Sequence, residues 1–140
     1  MVILSAAAGV IVAILLFAAV VSLIGSGQAK SKLGSSLFTI GKAKEQAQIV
    51  SRTGPLFFAD PLQKGRDIAV NEASPNQWVT VDVHPPDESK VCAVTWNGAT
   101  RMFHDPCSGR DYPADGTGLT RYRTSVEPNG DLVVDLHQTV

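Results

Sequence analysis

The sequence predicts an antiparallel all-β domain over residues 41–140, carried on a single N-terminal transmembrane helix over residues 1–25 by a flexible linker over residues 26–40. Three observations predict it. The first 24 residues hold no charged side chain and no proline. Beyond residue 67 the chain breaks into short apolar/polar runs with a turn signal about every ten residues. Asn97-Gly98 and Pro128-Asn129-Gly130 each divide two such runs, the strongest local signature of a β-hairpin. At 140 residues there is room for one such domain and little else.

As a helix, residues 2–24 would reach roughly 34 Å, enough to cross a hydrocarbon core of about 30 Å. The rival reading is a cleaved secretory signal ending near Gln28-Ala29. That needs a basic segment ahead of a shorter apolar core, and only Met1 precedes this one. Ser5, Gly9 and Ala13 recur at four-residue spacing, so one helix face is small enough for a second helix to approach closely. The expected partners are therefore integral-membrane subunits and the lipid bilayer itself, with chance spacing as the competing explanation.

The formal net charge of −1 hides an asymmetry. Residues 26–52 carry Lys30, Lys32, Lys42, Lys44 and Arg52 against Glu45 alone, and the rest is acidic. That balance excludes nucleic acid as an expected partner, while the basic collar suits anionic lipid head groups. Lys30 and Lys32 close to the span favour a cytoplasmic domain. The paired cysteines favour an oxidising compartment. The expectation is a single-pass protein of the cell membrane with its soluble domain on the extracytoplasmic side.

Gly25, Gly27 and Gly34 prevent the first helix from continuing, so residues 25–36 read as a tether. Residues 41–51 suit either a short helix or an extended entry strand, and the sequence leaves both open. Phe57 and Phe58 lie among prolines and need burial, as plugs on a sheet core or as a partner-binding patch. Residues 78–83 alternate apolar with polar side chains; residues 91–96 and 99–103 flank Asn97-Gly98, and residues 121–126 and 132–136 flank the second turn. Trp78 and Trp96 read as core residues.

The chain from Phe103 to Gly116 carries the most specific signal. Asp105-Pro106-Cys107-Ser108-Gly109-Arg110-Asp111-Tyr112, followed by Asp115-Gly116, falls on the second cluster-binding box of the Rieske iron–sulfur family, Cys-Pro-x-His-Gly-x-x-(Phe/Tyr). Residues 53–136 resemble that family in outline, and residues 103–136 in motif. The resemblance implies a Rieske-like β fold in which Pro106 and Gly109 shape the loop, Tyr112 packs beneath it and Asp115-Gly116 makes the turn. It also implies a departure. Asp105 stands where the ligating cysteine is expected and Ser108 where the histidine is expected. Cys107 fits a variable position that forms a disulfide in respiratory members. The family's first box, Cys-x-His, is expected between residues 96 and 99, where only the Asn97-Gly98 turn is found.

A Rieske cluster needs two thiolates on one iron and two imidazoles on the other. Cys92, Cys107, His84, His104 and His137 lack the spacing for that shell, so no cofactor is expected. Cys92 and Cys107 read as a disulfide, with Cys92 opposite Phe103 across a two-residue turn, or as two separate thiols. His104, Asp105 and Cys107 are all able to ligate zinc, but neighbours on a strand point to opposite faces. Cys107 as a nucleophile would need a base, and His104 lacks a third group to orient it. Arg101, Arg110, Arg121 and Arg123 with Asp105, Asp111 and Asp115 suggest a charged network around the loop.

The resulting expectation is a non-catalytic, cluster-free, Rieske-like accessory subunit of a membrane electron-transfer complex, respiratory in setting. The degenerate ligand loop Asp105, Pro106, Cys107, Ser108, Gly109 would be its structural lobe. The alternatives are a redox or metal-binding protein with an atypical site around Cys107 and His104, and a membrane-tethered docking module for an electron carrier.

Overall fold

The computed structural model describes residues 36–140. The residues expected to form a transmembrane helix, with Ser5, Gly9 and Ala13, and most of the expected linker lie outside the described residues. Among those described, no helix is long and apolar enough to cross a membrane.

The first strand, β1 (Leu37–Lys42), starts inside the stretch read as linker. It pairs antiparallel with the last strand, β9 (Asp131–Thr139), and a bulge between Thr39 and Gly41 bends it. Helix α1 (Ala43–Thr53) follows at once, so the segment that suited either helix or strand is divided between the two. Its residues are good helix formers, with Glu45 in the first turn and Arg52 in the last, each complementing the helix dipole. Lys42 offers no side-chain cap; the Ala43 N–H donates instead to the Gly130 carbonyl of a neighbouring turn, 2.9 Å away. Gly54 ends the helix at φ 85°, its N–H donating to the Val50 carbonyl.

Strands β2 (Leu56–Phe58), β3 (Ile68–Ser74), β4 (Gln77–Asp82) and β8 (Arg121–Val126) complete a six-stranded antiparallel sheet of order β1-β9-β8-β4-β3-β2. Its two edges curl toward each other, since the rings of Phe38 on β1 and Phe58 on β2 meet edge-to-face at 5.1 Å. Phe58 is therefore the expected plug, while Phe57 stays 47% exposed. Inside the curl, Ile68, Val70, Leu132, Val134 and Leu136 are fully or almost fully buried with Tyr122, and Trp78 packs against them. Tyr122 donates to Asp82 Oδ2 at 2.9 Å; burial first, then that carboxylate, pushes its hydroxyl up to about 12.

The two-residue period of β3 turns Ala69 and Asn71 to the opposite face. There a second core forms from Ala69, Val81, Val83, Val94, Phe103, Tyr112 and Leu119, with Trp96 packed against it. It sits under a three-stranded antiparallel sheet of β5 (Thr95–Asn97), β6 (Met102–His104) and β7 (Asp111–Pro113). Gly116, at φ 74°, turns the chain back; a Cβ there would fall 2.3 Å from Val81 Cγ1.

The β8–β9 hairpin follows the sequence expectation. The β5–β6 hairpin does not. Asn97 pairs with Met102 and Trp96 with Phe103, so the loop is Gly98-Ala99-Thr100-Arg101 rather than Asn97-Gly98. Asn97 Oδ1 accepts from the Ala99 and Thr100 N–H groups, and the positive φ falls on Arg101. This turn chemistry competes with the tight hairpin. Residues 91–94 consequently lie outside the ladder, and Cys92 is not opposite Phe103.

Candidate functional site

Strands β6 and β7 hold the loop from Asp105 to Arg110 between them, with His104 paired to Asp111 in register. The loop closes on itself through backbone bonds from Asp105 N to Arg110 O and from Gly109 N to Asp105 O, both 2.8 Å. Gly109 takes φ 75°, the conformation glycine permits.

Asp105 is fully buried and organises the interior of this loop. Its Oδ1 accepts from the Cys107 N–H at 2.9 Å and its Oδ2 from Ser108 Oγ. The Ser108 hydroxyl, the Cys107 and Ser108 N–H groups and the Arg110 guanidinium together hold this carboxyl below its ordinary value, against the opposing effect of burial. Ser108 Oγ accepts in turn from Arg110 Nε at 3.1 Å. Arg110 Nη2 then reaches across to Asp87 Oδ2 at 3.0 Å and Glu88 Oε1 at 3.1 Å. The expected arginine–aspartate network is thus differently wired: Arg110 bridges to a second loop, not to Asp105 or Asp111.

That second loop, residues 84–92, is also the covalent partner. Cys92 and Cys107 form a disulfide, the pairing the sequence favoured. Cys92 is buried and Cys107 exposed. His84 fixes the base of the loop, its Nδ1 3.1 Å from the Cys92 carbonyl oxygen and its Nε2 3.2 Å from Asp67 Oδ2. The tip presents Val91, 91% exposed, beside Lys90 and Asp87.

The loop facing residues 105–110 is residues 84–92, not the Asn97 turn. Within it Asp87 and Glu88 accept from Arg110, and Ser89 Oγ accepts from the Val91 N–H at 3.3 Å. Sequence reasoning missed Asp87, Glu88, Ser89 and Val91. The available signal was Cys92 itself, following Pro85-Pro86 in a stretch without strand alternation.

These residues do not fit a two-iron cluster. Both cysteines are consumed in the disulfide, and Asp105, Ser108 and Asp87 are already bonded to protein groups. His104 Nδ1 lies 2.7 Å from Asp111 Oδ1 on the outer face, away from Asp105. Among the described residues, no three His, Cys, Asp or Glu side chains converge to hold a metal ion. That removes the mononuclear arrangement of His104, Asp105 and Cys107. Cys107 has no thiolate to act as a nucleophile while it is bonded to Cys92. Beneath the loops the Tyr112 hydroxyl is buried without a hydrogen-bond partner among the described residues, and burial pushes its pKa up.

No family model and no curated protein matches the chain. Among solved structures it is similar to the plasma membrane Rieske protein PetC3 of the cyanobacterium Synechocystis PCC 6803, with 21% identity and a TM-score of 0.53, over 69% of this chain and 97% of that one. The described domain has the antiparallel all-β fold of a Rieske protein, without a cluster-ligand group among the described residues.

Proposed function

We propose that this chain is a non-catalytic accessory subunit of a membrane electron-transfer complex, in which a Rieske-like domain contributes surface rather than a redox centre. One observation carries the reading. The two loops that the fold would use to enclose a cluster are tied to each other by Cys92–Cys107 and by the Asp105–Ser108–Arg110–Asp87 series. A loop pair closed by its own side chains presents a fixed tip, and Val91 and Lys90 on it form a small apolar and charged contact surface. The solved relative is a plasma membrane protein, and the apolar run of residues 2–24 supports a membrane setting here. The domain would stand on the extracytoplasmic side, where a disulfide persists.

The test is purification of the tagged full chain from its native membranes in mild detergent, followed by identification of co-migrating subunits. Co-migration with subunits that hold redox cofactors, weakened in a Val91→Asp variant, supports the reading. A chain that migrates alone, or that carries iron of its own, overturns it.

A further inference from the structure

Away from the loop pair, a cleft of about 450 Å³ opens between the C-terminal end of α1, strand β3 and the β5–β6 hairpin. That volume lies within the usual range for small-molecule sites. One wall is fixed by close packing: Gly54 lies so near Trp96 that a Cβ would come within 2.5 Å of the indole ring. The end of α1 and the smaller sheet are thereby held against each other beside the opening.

Two cations border the cleft, Arg52 from the last turn of α1 and Arg101 from the hairpin loop. Among the described residues neither lies within ion-pair distance of a carboxylate. Arg101 sits at φ 54°, uncommon for a non-glycine residue, where glycine would hold the turn at lower cost. Asn71 lines the same cleft and is only 3% exposed. Its Nδ2 donates to the Ala114 carbonyl at 2.9 Å, and its Oδ1 has no hydrogen-bond partner among the described residues. That oxygen is not among the buried polar atoms, so it faces the opening and can accept from a donor on a bound molecule. Glu72 also lines the cleft, one oxygen accepting from the Asn76 N–H, so two arginines stand against one carboxylate.

We propose that this cleft binds a small organic anion: a carboxylate or phosphate group between Arg52 and Arg101, attached to an aromatic or apolar body lying on Trp96. A hydroxyl or amine on that body donates to Asn71 Oδ1. The site is separate from the loop pair and independent of the accessory role.

The test is a titration of the isotopically labelled full chain in non-ionic detergent, read by amide and indole chemical shifts. The probes are 4-hydroxybenzoate, phenyl phosphate and inorganic phosphate. The two aromatic probes saturate and move the Trp96 indole, Gly54 and Gly98 signals; the tighter of them identifies the anion class. Inorganic phosphate binds at least about tenfold more weakly, and Arg101→Gly, which suits the positive φ and keeps the turn, weakens the aromatic probes about tenfold. Absence of saturable shifts at the cleft at millimolar probe overturns the proposal. So do shifts unchanged by Arg101→Gly in a variant whose remaining spectrum is intact.

Discussion

In the six-stranded sheet the strands reach nine residues, and the core between its curled edges is aliphatic and aromatic. In the three-stranded sheet every strand is three residues long, and the two loops at its end hold a disulfide, a fully buried carboxylate and an arginine bridge. The two regions therefore tolerate different sequences. Long ladders and apolar burial suffice for the first. Three-residue strands supply few ladder bonds, so the second depends on cross-links between loops. Cys107 and Arg110 supply those links, and Asp105 and Ser108 hold the loop that presents them.

Breaking the larger sheet should have the largest effect. Leu132→Ala removes a fully buried side chain from the first core and should cost about 4 kcal/mol, with both sheets lost in one transition by chemical denaturation. Opening the disulfide ranks next. Closing a loop of this size restrains the unfolded chain by roughly 3 kcal/mol in the chain-entropy model, so Cys92→Ser/Cys107→Ser should lose about that much. Hydrogen exchange should accelerate first in residues 84–92 and 105–110 while β8 and β9 remain protected. Equal acceleration in both regions would show that the two sheets open as one unit.

Asp105→Asn is a smaller and more specific probe. The folded carboxyl titrates below the ordinary value of 3.8, so its stabilisation is fully present above that value and is lost as pH falls through the folded one. The loop pair should therefore loosen below about pH 4. The variant should melt lower at neutral pH and show a flatter acid limb. Tyr112→Phe should have the smallest effect and the opposite sign: removing a buried hydroxyl without a partner among the described residues should be neutral or stabilising by less than about 1 kcal/mol. A clear loss of stability would mean that the hydroxyl is bonded.

The parts of the fold written in local pattern were legible in the sequence. Alternation marked β4, the Pro128-Asn129-Gly130 turn marked the β8–β9 hairpin, and the Asp105–Tyr112 frame located the loop that Asp105 organises. The facing loop was not legible, because what places it is long-range. Pro85-Pro86 marks residues 84–92 as a loop without saying where it packs, and they are positioned by Cys107 and Arg110 from the other loop. Meanwhile Asn97 spends its side chain on capping the Ala99 and Thr100 N–H groups, so the Asn-Gly signal was real as a turn but wrong in length. Arg52, Asn71 and Arg101 are scattered along the chain, and only the packing of α1 on Trp96 brings them to one cleft.

The most direct test of the central claim, that these loops are closed by their own side chains, is a thiol titration of the full chain purified without reductant and then denatured. The chain holds two cysteines, bonded to each other, so no titratable thiol should appear. Two thiols released on denaturation would contradict it, as cysteines that ligate iron or stay separate would give.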